Sequence, residues 1–445
     1  MRIRRCAVVR SICLKLNTNL HRIACVVHTV WSPTVTVAGL CLLAGPITYA
    51  FNNILQSSES AVMLVVAAVI MCSIVIVMYL ITRSKIKNKM YYWFGLFAFT
   101  SAVDIFAALE ADGIIAGFMA VYLKYGEPYL FSPWGSIAAY WDGTVFLISY
   151  LIMAYCASNG ISYRNLGIHY SAGIINSMIV LLLGGCLSES GMTWCTMLNI
   201  PYVIVPVVIG VQCLLEERNW KSSRTSTLVD KLLALFLFGA TLAGLLKGLA
   251  CLGSQQQLPV WYKSNVEPIT MQTTPAPFAW IQGLIMIFYF VPSFIILAFG
   301  LVFCPNAEWM MDLSLLVAGA TSQAGAAQIG MSLHPSTLTE HQMPSLKDLT
   351  AFSLFWATNI LTAVLPQIIA VWLCYLETKK HDTVKSNSQL SSSNVTNRKS
   401  GQKGRKHDIH STEPERRKHD KGIKEKKNAN MKKITNTETE NKKKA

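Results

Sequence analysis

The sequence predicts an all-α polytopic membrane protein with about ten transmembrane helices, two four-helix repeats and a disordered Lys-rich tail. Three observations carry this. Hydrophobic residues make up 52% of the 445 residues and charged residues 14%, and the mean hydropathy is +0.38. Those values lie outside ordinary soluble globules and disordered chains. Several apolar runs reach the roughly 20 residues needed to cross a bilayer. The charge is uneven: residues 377–445 hold +11 of the formal net +15. A basic balance confined to a tail argues against a nucleic-acid partner.

In chain order, residues 1–32 form a basic arm. Arg2, Arg4, Arg5, Arg10, Lys15 and Arg22 occur there without an acid before residue 33, a composition open to either a cytosolic arm or an Arg-rich presequence. Apolar segments follow near 33–51, 60–82, 91–111, 135–157, 167–187, 197–215, 229–252, 278–303, 311–333 and 349–376. The first is short and broken by Gly45-Pro46, so the count is nine or ten. Arg83, Lys85, Lys87 and Lys89, then Arg164, then Arg218, Lys221, Arg224 and Lys231 fall in alternate loops. The loops between them are nearly neutral. The positive-inside rule places the basic loops and both termini in the cytosol.

The longest cytosolic loop divides the last eight spans into two groups, 87–216 and 228–376, behind a leading pair at 33–86. KYGEPYL at 124–130 is echoed by SNVEPIT at 264–270. Each follows the first span of its group, which points to a four-helix repeat. From Glu377 onward the apolar periodicity stops, and Ser, Asn, Thr, Lys and Glu bury too little apolar surface to fold. Lys442 and Lys443, fourth and third from the end, match a dilysine retrieval signal read by a trafficking coat.

The acids inside apolar segments are the informative residues, because an ionised carboxylate in hydrocarbon costs several kcal/mol or changes its protonation state. Asp104 lies roughly 12 Å before the lumenal end of its span and Asp142 roughly 10 Å after the lumenal start of the next, at 1.5 Å per residue. Glu127 sits between them, held by Pro128 in extended or turn backbone. With Tyr140, Trp141, Trp134 and Tyr129 as aromatic walls, they describe a lumen-side pocket for a cationic amphiphile or sterol-like lipid. Helix capping is the competing role, and it is the expected one for Glu110 and Asp112. In the second group Lys247 stands about where Asp104 stands in the first. It either pairs with a carboxylate of the first group or snorkels to the interface. Asn359, with Pro366 and Gln367, marks a polar kink in the last span. The small-residue run at 319–328 suits close helix packing, with Gln323 and Gln328 as hydrogen-bond partners. Cys186 and Cys195 flank one loop and could be bridged if it is lumenal. Neither a metal-ligand spacing nor a nucleophile–base pair stands out, so no cofactor is expected.

FAFTSAVD at 97–104, ALEADG at 108–113, GFM at 117–119, GEPYL at 126–130, YWDGT at 140–144, RNLG at 164–167 and IPYV at 200–203 resemble the transmembrane 6 superfamily. The resemblance runs from about 45 to 375. It implies two EXPERA domains, at 87–216 and 228–376, the four-helix unit also found in emopamil-binding protein and the sigma-2 receptor. It implies endoplasmic reticulum or ER–Golgi intermediate membranes, with lysosomal membranes for other members. It implies a role in lipid homeostasis through lipoprotein secretion and lipid-droplet content. It also implies a sterol or lipid ligand at Asp104, Glu127 and Asp142. In the second domain only Glu267 keeps the acid pattern, with Lys247 and Met286 at the other two positions, so a second working site is in doubt. The isomerase's His-plus-Glu pair has no counterpart in 96–109, so sterol isomerase activity is not expected, and a lipid or amine transporter is the further alternative.

Overall fold

A computed structural model describes residues 32–55, 59–189, 191–218, 225–268, 277–335 and 348–401, with side chains as far as Thr378. Most of the basic arm, Lys221, Arg224 and the dilysine Lys442 and Lys443 lie outside the described residues. Ten long helices follow one another: α1 Pro33–Ile54, α2 Ser60–Thr82, α3 Met90–Ala111, α4 Pro133–Asn159, α5 Arg164–Cys186, α6 Trp194–Leu215, α7 Leu228–Cys251, α8 Phe278–Phe303, α9 Glu308–Leu333 and α10 Leu349–Gly401.

Nine of these described helices, all but α9, are long and apolar enough to span a membrane. α9 has 26 residues but carries a small, polar sequence. Its neighbours bury Ser314, Thr321 and Gln323, so it need not present apolar side chains to lipid. The expected break in α1 falls at Leu43 rather than at Gly45-Pro46. Pro46 then stands in the first turn of the second piece, where a missing N–H leaves no helix bond unmade. Helical backbone continues to Gly401, although the composition predicts no fold from Glu377. Extending a formed helix avoids the nucleation cost that a free polar segment would meet.

The two groups of four helices show matching local geometry. α3 and α7 end alike: Gly113 and Gly253 take left-handed backbone, with φ of 70° and 75°. Ile114 N–H bonds to Leu109 O at 2.8 Å, and Ser254 N–H to Leu249 O at 3.0 Å. α4 and α8 each contain one widened π turn, over Asp142–Phe146 and Met286–Phe290. The shared helix ends correct the expected register. They align Asp104 with Gly244, and Lys247 with Ala107, one turn nearer the loop.

The groups meet along α5 and α9. Gly319 packs so close to α5 that an added Cβ would land on the carbonyl oxygen of His169. Gly173 faces back, and its Cβ would lie 3.0 Å from Gly319 O. Polar side chains close the rest of the seam. Asn176 Nδ2 donates to Gln323 Oε1 at 2.6 Å and to Gln282 Oε1 at 3.1 Å. His169 Nε2 lies 3.2 Å from Gln367 Oε1, and Gln367 Nε2 donates to Ala318 O at 2.6 Å. Small residues and buried amides hold helices together where lipid offers no hydrophobic drive. At the α4 and α8 starts, Trp134 stacks on Phe278, with centroids 4.5 Å apart and planes 13° from parallel.

Charged clusters close both ends. At the end predicted to be cytosolic, Asp312 of α9 accepts from Arg164 Nη1 at 2.7 Å and Arg218 Nη2 at 2.8 Å, while Arg218 Nη1 reaches Glu377 of α10 at 2.9 Å. At the opposite end, Asp112 Oδ1 accepts from Ser136 Oγ at 2.5 Å and lies 3.0 Å from His334 Nε2. Burial raises the Asp112 carboxyl, but hydrogen bonds from Ser136, His334 and Tyr140 outweigh it and hold the group below the ordinary aspartate range.

Gly319→Leu should force α5 and α9 apart, since overpacking costs about 1–3 kcal/mol and more against rigid backbone. Gly185→Ala, where a Cβ meets nothing within 4 Å, should leave stability unchanged. Thermal unfolding of the two purified variants checks this. Equal melting temperatures would show that the seam does not depend on the glycine.

Candidate functional site

The site begins with how α3 and α4 approach. A Cβ on Gly143 would lie 3.0 Å from Ile105 N and 3.1 Å from Ser101 O. The bare glycine therefore lets α4 lie against the α3 backbone, beside Asp142 and level with Asp104. The loop between the helices is folded down by Glu110, whose oxygens accept from the N–H groups of Gly117, Phe118 and Met119 at 2.8, 2.7 and 2.5 Å. Glu110 thus caps the loop through backbone N–H groups, as expected, whereas Asp112 joins the side chains of Ser136 and His334 instead of capping a helix.

The folded loop carries Glu127 into the helices. Its Oε1 accepts from Asn199 Nδ2 of α6 at 2.6 Å. Burial pushes the Glu127 carboxyl above the ordinary glutamate range, opposed by hydrogen bonds from Tyr122, Asn199 and Tyr129. Burial, together with the Glu127 charge, also lifts the Tyr122 and Tyr129 phenols well above their usual values. Both phenols therefore keep their protons beside the carboxylate.

Asp104, Glu127 and Asp142 line one cavity of about 160 Å³. The carboxyl of Asp104 lies within electrostatic reach of both others. They differ in what answers them. Glu127 is held on the loop and α6 side, whereas Asp142 Oδ1 is buried with no hydrogen-bond partner among the described residues. Trp134 Nε1 and Ser177 Oγ are likewise unpartnered, and both residues line the same cavity. Leaving a buried polar group unmade costs about 1–3 kcal/mol. A polar group lodged against Asp142 would recover that cost.

Two predicted wall residues are elsewhere. Tyr140 and Trp141 do not line the cavity. Tyr140 is hydrogen-bonded to Asp112, and Trp141 packs edge-on to Phe146, centroids 6.3 Å apart. They follow Ala138 and Ala139, and it is those small residues that face inward. The expected Tyr129 and Trp134 do line it, joined by Phe51, Phe99, Tyr122 and Tyr202. Tyr202 donates its hydroxyl to Thr100 Oγ1. Asn199, a polar residue at the head of an apolar run, carries a weak signal in the sequence, and the apolar contributions of α1 and α2 carry none.

In the second group Lys247, Glu267 and Asn359 come together. Lys247 Nζ lies 2.8 Å from Glu267 Oε1 and donates to Asn359 Oδ1 at 2.7 Å. Asn359 Nδ2 donates to Glu267 Oε1 at 2.6 Å, and Gln328 Nε2 to Oε2 at 3.4 Å. Lys247 therefore neither snorkels nor reaches the first group. The cavity left around it is about 30 Å³. Cys186 and Cys195 are unbridged: Cys186 Sγ donates to Met192 Sδ, and Cys195 Sγ to Ser60 O at 3.3 Å. Among the described residues no His, Cys, Asp or Glu cluster could hold a metal ion.

Comparison with known proteins agrees with the helical architecture. The family model described as "Transmembrane 6 superfamily member 2-like, transmembrane domain" matches residues 43–224. Mouse transmembrane 6 superfamily member 2 is 31% identical over 350 residues, covering 75% of this chain and 90% of its own length. The human protein of that name is 30% identical over 349 residues, covering 75% and 91%. The chain belongs to the transmembrane 6 superfamily. No solved structure matches it. Within this superfamily chain, the family-model match takes in every element around the first cavity, from the second piece of α1 to α6.

Lys247→Met alone should strand the buried Glu267 carboxylate and cost about 3–5 kcal/mol. Adding Glu267→Gln should recover most of it. Unfolding of the single and double variants in detergent reads the coupling, and a wild-type melting temperature for Lys247→Met would remove the clamp role.

Proposed function

We propose that this superfamily member is a non-enzymatic regulator of lipid homeostasis in endoplasmic reticulum membranes, acting through a sterol- or lipid-binding pocket in the first four-helix unit. The observation that carries the reading is the cavity between α3, α4 and α5. It combines mostly apolar walls with an unanswered carboxylate oxygen, an indole N–H and a hydroxyl. Ligand sites are typically mostly apolar with a few converging polar groups.

Magnitudes narrow the ligand. One water needs roughly 10–15 Å³ of cavity measured this way and about 30 Å³ of liquid. The first cavity, about 160 Å³, thus corresponds to on the order of ten waters and roughly 300–450 Å³ of liquid. That volume holds part of a sterol or acyl chain and is far too small for a three-chain glyceride. The second cavity, about 30 Å³, holds roughly two or three waters and argues for one ligand per chain. The reading therefore favours regulation by an occupying lipid over direct carriage of triglyceride.

Photo-crosslinking of a diazirine sterol to the purified protein tests this. Labelling should map to 100–150 and fall at least tenfold in Asp104→Asn and Asp142→Asn, with both variants still inserted and monodisperse. Undiminished labelling in both variants would sink the pocket assignment. Turnover of a Δ8-sterol that Glu127→Gln abolishes would turn the receptor into an enzyme.

A further inference from the structure

The cavity has a second wall that the four-helix unit does not supply. Ile47 and Phe51 of α1 and Ala67, Ile70 and Met71 of α2 line it. All five are apolar. Thr48, the polar residue α1 adds, already donates its hydroxyl to Gly45 O at 2.9 Å. The unpartnered polar atoms, Asp142 Oδ1, Trp134 Nε1 and Ser177 Oγ, belong to α4 and α5. The cavity is therefore two-faced, polar on the α3–α5 wall and apolar on the α1–α2 wall.

The α1–α2 pair is fastened at both ends. At one end Tyr91 OH donates to Pro33 O at 2.6 Å. Gly95 of α3 there lets the Met78 sulfur and Val37 close in, and a Cβ on it would strike Met78. At the other end Asn52 grips the loop that carries Glu127: its Nδ2 donates to Gly117 O at 3.0 Å, and its Oδ1 accepts from Val121 N at 2.9 Å. Cys195 Sγ donates to Ser60 O nearby. Between these fastenings Ala67, Ile70 and Met71 pack on the neighbouring apolar clusters and also border the cavity.

We infer that α1 and α2 form the apolar subsite of this cavity. A membrane-dissolved amphiphile with one hydrogen-bonding head would set that head against Asp104 and Asp142. Its compact apolar body would lie on Ile47, Phe51, Ala67, Ile70 and Met71. Those side chains then determine which apolar body is accepted. The inference rests on the binding reading of the cavity, and it adds two helices outside the four-helix repeat as the specificity element.

The test uses the full chain in lipid nanodiscs and two clickable cholesterol analogues, one with its diazirine near the 3-hydroxyl and one with it at the end of the alkyl tail. Tail-probe adducts should fall on peptides within 43–71 and head-probe adducts within 100–150. Ala67→Phe and Met71→Trp, which leave the acids untouched, should each cut labelling at least tenfold while the protein stays monodisperse. Tail-probe adducts confined to α3–α6 would overturn the subsite and leave the pocket standing, as would full labelling of both filled variants. Because the adduct map is read on the wild type, that result stands even if a filled variant misfolds. No specific labelling of the wild type by either probe would overturn the binding reading and the subsite with it.

Discussion

A carboxylate in a low-dielectric interior or at its edge is costly unless something answers it, and most of the acids among the described helices and their ends have local partners. Glu110 takes three backbone N–H groups. Asp112 takes Ser136 and His334. Asp230 closes a capping box with Thr227 and accepts from Trp372 Nε1 at 3.1 Å. Asp312 takes two arginines and Glu267 takes a lysine and two amides. Charged pairs so enclosed seldom add much net stability, but losing one partner is severe. They work as fixed joints, each tying two or more helices at a set depth. Against that pattern an unanswered oxygen on Asp142 stands out as a place where the fold leaves a partner to be supplied.

The two halves resolve the same architecture in opposite ways. In the second, Lys247 brings the partner within the chain and the space around the Glu267 carboxylate shrinks to roughly two or three waters. In the first, Ala107 stands at the corresponding position, with no ammonium to offer. The closed half then serves the open one. α9 lies on α5 through Gly319, Gly173 and the Asn176–Gln323 amide pair, and Phe278 braces Trp134. α5 carries Ser177 and α4 carries Trp134 and Asp142, so the packed second half fixes the wall that holds the open polar groups.

Much of the fold was legible in the sequence because bilayer length and charge asymmetry act on whole segments. Ten apolar runs became ten helices, and the alternation of basic loops matches the end at which Arg164, Arg218, Asp312 and Glu377 meet. Positions that depend on a turn of helix were less legible. Tyr140 and Trp141 look like walls beside Asp142, yet one turn of α4 directs Ala138 and Ala139 inward instead. Lys247 was set level with Asp104 by counting along apolar segments, and only the shared left-handed glycines, Gly113 and Gly253, reveal that it belongs one turn on. The apolar wall had no signal, since an inward Ile47 or Met71 reads the same as one facing lipid.

The π turns show where the chemistry of the candidate site lies. A widened turn shifts the following side chains and often marks a functional site, and in α4 it begins at Asp142. Yet α8 makes the same turn at Met286, in a half whose buried acid is already paired. The turn is therefore a property of the repeat, present with or without an open carboxylate. What distinguishes the first half is the side chain placed on it, the bare Gly143 that brings it to α3, and the absence of any lysine to close the space. Function in this fold is decided by which groups the repeat's fixed geometry leaves unpaired.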